Sequence, residues 1–391
     1  DPLDLRAEAV QQVLRRPLRR LPRRAGVLVG GDDLDPRVRR ALTLAIDRWG
    51  GSQYLSKIAI VKAVVDLAKA LRVEVIGREE IEEKALMTPG SVAMLLGETT
   101  GLRVQTTAPS LGAANVRIQG LRGRYTQILS DGLPLYGEAT GLGPLQIPPM
   151  DLGRVEVIKG AASALYGASA LGGVINLISR RPDGAIELLL NRTTEHGTDA
   201  VLWAASDADA ALRWTLMAGG HDQPRRDVDG DRWTDIPGYT RGTVRPRLFI
   251  GGARASATIT AGATVEERSG GGRSEGTTLR QGLDTRRIDA GVSAAAWLGQ
   301  LRATLRAAAV EQHHTHEYEG FAEDDAHRAV FGEAALAADW GRHTVVAGIA
   351  LQHDAYRNDQ QPAFDESTTT PGIFAQEEWR PAEWLAVLAS A

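Results

Sequence analysis

Ala253-Arg254-Ala255-Ser256-Ala257-Thr258-Ile259-Thr260-Ala261-Gly262-Ala263-Thr264-Val265 reads with a period of two. Every odd position is apolar; every even one is Arg, Ser, Thr or Gly. Successive side chains of a strand point to opposite faces, so the stretch predicts a strand with one apolar and one polar side. The pattern recurs in Ile288, Ala290, Val292, Ala294, Ala296 and Leu298, and again in Leu301, Ala303, Leu305 and Ala307. Working outward predicts eleven strands, at 186–194, 199–206, 210–219, 239–250, 253–265, 286–298, 301–311, 329–339, 343–354, 371–379 and 384–391. Short turns are expected near Asp207–Asp209, Gly251–Gly252, Gly299–Gln300, Trp340–Arg342 and Arg380–Glu383, and long polar loops at 220–238, 266–285, 312–328 and 356–370. Connections sorted by length between the two ends are expected of a membrane-spanning barrel, with short turns toward the periplasm and long loops outside. A soluble sandwich has no reason to sort them.

Composition narrows the classes. The chain has no cysteine, which excludes disulfide scaffolds, cysteine-ligated zinc, iron–sulfur clusters and thiol catalysis. Lys plus Arg number 45 against 49 Asp plus Glu, so bulk charge does not hold a polyanion and no nucleic-acid partner is expected. No run of about 18 apolar residues offers a transmembrane helix, which says nothing against transmembrane strands. The chain begins at Asp1 without a signal sequence, and a mature form or a fragment is expected.

Upstream of the strands the grammar changes. Residues 1–71 form an atypical basic and helical extension: Arg15, Arg16, Arg19, Arg20, Arg23 and Arg24 cluster around Pro17 and Pro22, favouring a disordered arm, and Leu55, Ile58, Val61, Val65 and Ala68 mark a helix over 52–71. Residues 72–182 read as a compact α/β unit. It has strands at 73–76, 102–105, 115–119, 125–130 and 155–159, a charged helix from Arg78 to Ala85, and a second helix capped by Ser91 and running through Leu96. The turn Asp131-Gly132 follows one strand directly.

Two blocks of this unit carry a resemblance. One is Val116-Arg117-Ile118-Gln119-Gly120-Leu121-Arg122-Gly123, continued by Ile128-Leu129-Ser130-Asp131-Gly132-Leu133-Pro134-Leu135. The other runs from Met150-Asp151-Leu152-Gly153-Arg154-Val155-Glu156-Val157-Ile158-Lys159-Gly160 through Ala161-Ala162-Ser163-Ala164-Leu165-Tyr166-Gly167 to Gly172-Gly173-Val174-Ile175-Asn176. In these blocks 72–182 resembles the plug domain of TonB-dependent outer-membrane receptors, with barrel grammar following over 186–391. The resemblance implies an α+β plug followed by an antiparallel transmembrane β-barrel of about twenty-two strands, about half of which are found here. It further implies the outer membrane of a Gram-negative-type bacterium, embedding in outer-membrane lipid, and uptake of a scarce ligand such as a ferric siderophore or cobalamin. The energy would come from a TonB energy-transducing complex. No contact box for that complex is recognisable upstream of Val73. An open sheet would leave two unpaired edges in lipid, so a partial receptor without transport activity is expected of this chain alone.

The candidate sites are these. Arg154 and Glu156 share a strand face and Lys159 falls on the other; by resemblance such charges latch the plug to the barrel wall. Thr107, Ser110, Glu138 and Thr140, on the stretches 106–114 and 137–143, would meet the ligand at the plug apices. Asp227, Asp229, Asp231 and nearby Asp235 place carboxylates where they could bind calcium, although a solvated acidic loop explains them as well. His313, His314 and His316, with Glu311, Glu317 and Glu319, could capture a metal or haem; His314 and His316 would share a face if extended. The glycines of 160–173 lack a following Gly-Lys-Ser/Thr and are expected to serve turns, not phosphate. No nucleophile elbow or paired-carboxylate cleft stands out, so no enzyme is expected. The alternatives are a passive pore or surface adhesin built on the barrel, a non-functional receptor fragment, and a β-rich glycan- or lipid-processing enzyme.

Overall fold

The computed structural model describes residues 73–390 except 119, 122–124, 136–145, 160–169, 171, 275–276 and 383–384. The expectations for 1–71 lie outside these residues.

The first unit holds strands β1 (Val73–Ile76), β2 (Leu102–Ala108), β3 (Ala113–Ile118), β4 (Thr126–Ser130), β5 (Leu152–Lys159) and β6 (Gly173–Ser179), with helices α1 (Arg78–Met87) and α2 (Ala93–Gly97). Four strands form one sheet in the order β1-β5-β6-β4, and β2 pairs with β3 separately. Every residue of β6, Gly-Val-Ile-Asn-Leu-Ile-Ser, is buried, as expected of a strand covered on both faces. Ile76, Ile81, Leu95, Ile118, Val155, Val157, Ile175 and Leu177 make the core. Ser91 Oγ accepts the Ala93 amide, tying off the start of α2. Asp131 and Gly132 both adopt positive φ, 50° and 78°, the geometry of a tight primed turn that glycine tolerates.

The second unit is one antiparallel sheet of eleven strands in sequence order: β7 (Ile186–Arg192), β8 (Thr198–Ala205), β9 (Arg213–Gln223), β10 (Gly238–Gly251), β11 (Ala255–Ser274), β12 (Thr277–Leu298), β13 (Leu301–Tyr318), β14 (Phe321–Trp340), β15 (His343–Asn358), β16 (Glu366–Ala382) and β17 (Leu385–Ser390). The sheet is open, with β7 and β17 each hydrogen-bonded on one side among the described residues. The first unit packs on its polar face.

The alternation fixes the other face. Ile259, Ala261, Val265, Ile288, Leu305, Val330, Leu336, Ile349 and Leu351 point away from the first unit and are exposed. At the short-turn end this apolar band is bordered by exposed Trp214, Trp297, Trp340 and Trp379. An apolar belt edged by aromatic rings is the surface a bilayer solvates. Among the described residues no helix is long and apolar enough to cross a membrane; the strands carry the apolar belt instead.

Two expected loops are strands. Residues 266–285 fall almost wholly in β11 and β12, paired without a break from Ala255↔Ala296 to Ser274↔Thr277. Residues 312–328 fall in β13 and β14, joined by the two-residue turn Glu319–Gly320, both at positive φ. Beyond the apolar band both faces of these strands are polar, so no hydrophobic alternation remains for a reader of the sequence. The ladder continues because the backbone groups still pair with each other. The 220–238 and 356–370 connections are shorter than expected, 224–237 and 359–365.

Candidate functional site

The seam between the first unit and the wall is built from the unbroken register of β10 to β13, whose inward positions carry arginines. In β10 the odd residues Arg241, Thr243, Arg245, Arg247 and Phe249 are buried and the even residues Val244, Pro246 and Ile250 are exposed. Arg247 donates two hydrogen bonds to Asp151, Nη1 to Oδ1 and Nη2 to Oδ2, each 2.6 Å, and both side chains are 1% exposed. Asp151 ends the 3₁₀ turn Pro149–Asp151 that launches β5. Arg247 Nε also lies 3.7 Å from Asp131 Oδ2, and Asp131 Oδ1 accepts the Ser179 amide at the end of β6. One wall arginine thus meets both carboxylates that flank the C-terminal end of the plug sheet's buried strand. A planar guanidinium suits this, because it presents two parallel donors to a carboxylate.

Three further wall arginines reach plug carbonyls. Arg306 Nη1 donates to Gly132 O at 2.9 Å while its Nε donates to Glu333 at 3.0 Å. Arg287 donates to Leu135 O. Arg268 Nη1 donates to Leu111 O at 2.8 Å and pairs with Glu266, which also accepts from Gln146 Nε2 at 2.7 Å. None of these arginines was singled out from the sequence. The signal available there was parity: they occupy the polar face of strands whose other face is apolar.

The expected latch residues have partners within the plug. Arg154 Nε donates to Glu156 Oε1 at 2.8 Å, Glu156 Oε2 accepts from Asn176 Nδ2 at 3.1 Å, and Lys159 pairs with Glu74. The opposite faces expected for Arg154 and Lys159 follow from the strand pleat.

Of the expected apex residues, Glu138 and Thr140 lie outside the described residues, and Thr107 lies in β2. Ser110 sits between β2 and β3 and donates from Oγ to Gln281 of the wall. Leu111 and Ala113 pack on Leu283 beside it. The wall comes so close that a Cβ on Gly270 would stand 1.8 Å from the Ser110 carbonyl oxygen; only glycine fits there.

The 224–237 connection folds over this contact. Thr234 N donates to Gly271 O at 3.0 Å, and Trp233 bridges to Gly272. Asp227, Asp229 and Asp235 bring carboxylate oxygens within 4.8 Å of one another, a spread that oxygen ligands of one calcium ion can adopt. Asp231 is not part of this group. Its Oδ1 accepts the Trp233 amide at 2.7 Å, and its own amide donates to Asp229. Asp227 and Asp235 likewise accept backbone amides of the loop, so these carboxylates also shape the turn.

The histidine cluster is sorted by parity. His313 points outward and meets Glu311 at 3.0 Å. His314 and His316 point inward, joined by His327 and Asp325 from β14, which were not anticipated. Burial pushes His314 down to about 4, so its imidazole is neutral at physiological pH.

Comparison with known proteins agrees with this architecture. Residues 67–174 match the family model described as the TonB-dependent Receptor Plug Domain. The chain is similar to the Vitamin B12 transporter BtuB of Vibrio vulnificus, 33% identical over 134 residues, which is 34% of this chain and 20% of that protein. It is also similar to the ferrichrome outer membrane transporter/phage receptor of Escherichia coli, 30% identical over 169 residues, 41% of this chain and 22% of that protein. Among solved structures, the ferric enterobactin receptor of Pseudomonas aeruginosa superposes with a TM-score of 0.64 at 13% identity, over 83% of this chain and 57% of that one. The siderophore receptor PiuA of Acinetobacter baumannii does so with 0.58 at 14%, over 82% and 60%. These two likenesses show the fold, and the matched part is well under two thirds of each relative's length. A plug signature, a plug-like sheet packed on a polar wall, and an apolar outer band on that wall agree with these matches: residues 67–174 are a TonB-dependent receptor plug domain, and the eleven antiparallel strands that follow share the fold of the receptor barrels they superpose on.

Proposed function

We propose that this chain is the gating part of an outer-membrane importer for a scarce small molecule, a ferric siderophore, cobalamin or similar nutrient, energised from the inner membrane through a TonB complex. One observation supports this above the others: the plug is tied to the polar inner face of a wall whose outer face is apolar, through Arg247–Asp151 and three arginine–carbonyl contacts. A passive pore has no use for a plug held by buried ion pairs, each of which costs several kcal/mol to break on one side.

In this reading the ligand approaches the apices that include Thr107, Ser110, Glu138 and Thr140. The Ser110–Gln281 contact is then where an arriving ligand is felt by both plug and wall. Arg154, Glu156 and Lys159 keep the plug sheet in register, and Arg154 adds to the latch. Calcium held by Asp227, Asp229 and Asp235 would stiffen the 224–237 loop that leans on the Gly270–Gly272 segment. The role is transport, not catalysis.

The test is uptake. Cells lacking their own receptors would express the receptor containing this chain and be given labelled ferric siderophores and labelled cobalamin. Accumulation of at least one, abolished when TonB is deleted, is expected. Equal entry with and without TonB would favour a passive pore, and no entry of any probe would remove the import reading.

A further inference from the structure

The outer face of β8 to β11 is not level. We propose that a trough in it, floored by Ala200, Gly220 and Gly242, binds one acyl chain of a membrane lipid whose anionic headgroup meets Arg192.

The register builds the trough. Ala200 stands opposite Gly220, Gly220 opposite Gly242, and Gly242 opposite Val265, so four neighbouring strands supply one row. Side-chain size falls to nothing in the middle of that row and rises again at Val265. Leu188 and Val244 close the side toward the short turns. The space measures about 470 Å³. Taking a methylene as roughly water-sized, at ~30 Å³, a chain of on the order of a dozen carbons fits.

Neither glycine is required by the fold. A Cβ on Gly220 would meet nothing within 4 Å, and one on Gly242 would meet only Val265 Cγ2, at 3.5 Å. Neither residue has positive φ. Inward glycines of the same wall differ: a Cβ on Gly262 would stand 2.6 Å from Asp289 Oδ2, and one on Gly291 would stand 2.6 Å from Leu133 Cδ1. A glycine inside a strand forgoes packing and costs chain entropy. Where no neighbour requires it, it marks a place of close approach by another molecule.

The surroundings name the occupant. The trough lies within the apolar band, whose border on β9 at the short-turn end is Trp214; Gly220 comes about 20 Å further along that strand. The next row beyond it is the first polar one, Arg192, Thr198, Asp222 and Thr240. The trough therefore ends where acyl chains give way to headgroups. Arg192 is exposed, donates to Thr198 Oγ1 at 2.7 Å and has no carboxylate partner among the described residues. Asp222 accepts from Thr240 at 2.9 Å, so an anionic headgroup is expected over β7 and β8, away from that carboxylate. A guanidinium suits phosphate oxygens. In hydrocarbon the chain gains close packing, because lipid tails are as apolar as the wall itself.

The site stands apart from the import reading: it rests on the outer face alone, and lipid retention is measured without uptake. A second copy of the chain laid on the same trough is the competing occupant.

The receptor containing this chain, purified in detergent, would be titrated with dimyristoyl phosphatidylglycerol and weighed by native mass spectrometry. One retained lipid is expected. Gly220→Leu with Gly242→Leu fills the trough with side chains for which there is room, keeps the face apolar, and should weaken retention at least tenfold. Gly220→Ala, a milder filling that guards against misfolding, should give a smaller loss. Gly332→Leu adds the same side chain where β14 also leaves open space, and should retain the lipid as before. Arg192→Gln should weaken retention less than the leucine pair. The dihexanoyl lipid, with the same headgroup on short chains, should not be retained. Equal retention in the leucine pair, retention of the dihexanoyl lipid, or a receptor dimer that the leucine pair converts to monomer would overturn the proposal.

Discussion

Arg247→Ala tests the seam most sharply. The side chain is 1% exposed and its two donors both end on Asp151, itself 1% exposed. Removing the cation leaves a buried carboxylate without its counter-charge, and Asp131 loses a cation 3.7 Å away. One-sided loss of a buried ion pair costs about 3–5 kcal/mol. At about 1.4 kcal/mol per tenfold, the plug sheet should open ~10²–10⁴ times more often. The assay is native-state hydrogen exchange at β6, because Asp131 and Asp151 flank that strand: Ser179 N donates to Asp131, and Arg180 N donates to Asp151 O at 3.0 Å. Cells should also become more sensitive to large antibiotics. Removing both partners together should cost less than the two single losses added, since no orphan charge remains. Arg154→Ala should also loosen the plug, but by about 1 kcal/mol or less, because Arg154 is one-third exposed and Glu156 keeps Asn176. Unchanged exchange in Arg247→Ala, or strictly additive effects in the double variant, would refute the reasoning.

Three further outcomes follow from the same geometry. His314 is neutral when folded down to about pH 4 but takes up a proton near pH 6.5 when unfolded, so the unfolded state binds more protons between these values. Stability should therefore fall as pH drops from ~6.5 to ~4, by up to ~3 kcal/mol, and His314→Gln should flatten that dependence in denaturant titrations. Asp227→Asn with Asp229→Asn should weaken ligand capture only when calcium is present; equal ligand affinity of the unaltered receptor in calcium and in chelator would end the calcium reading. Cysteine at Glu319, in the turn at the far end of β13, should react with an impermeant maleimide on intact cells, and cysteine at Gln300, in the opposite turn, should not.

The strands inside the apolar band were legible because bilayer and lumen impose opposite demands on alternate residues. The 253–265 stretch shows this directly, and all eleven strands were found. Above the band both faces are polar, so Glu266–Ser274 and Gln312–Tyr318 carry no hydrophobic contrast and read as loops. Asp131-Gly132 was legible as a turn because its glycine admits positive φ; Glu319-Gly320 was hidden inside a presumed loop. The plug was recognisable from its motif, but motif position does not name partners. Arg154 pairs with Glu156 and Glu156 with Asn176, and Asp151 at the motif's start meets Arg247 of the wall, a contact the motif did not announce. His313 and His314 differ in role by one step of the pleat, and His327 lies in another strand, so their grouping needed the register.

The central claim is that one face of the eleven strands meets lipid and the other meets the plug. Nitroxide labels placed one at a time along β11 and β13 in outer-membrane vesicles measure it directly. Ala261, Val265, Leu305 and Ala309 should be reached by lipid-soluble oxygen and not by a water-soluble relaxant, whereas Thr260, Thr264 and Ala308 should be shielded from both by the plug. Accessibility that alternates residue by residue is the result this account requires. Accessibility without that period of two, or equal exposure of both faces to the water-soluble relaxant, would contradict it.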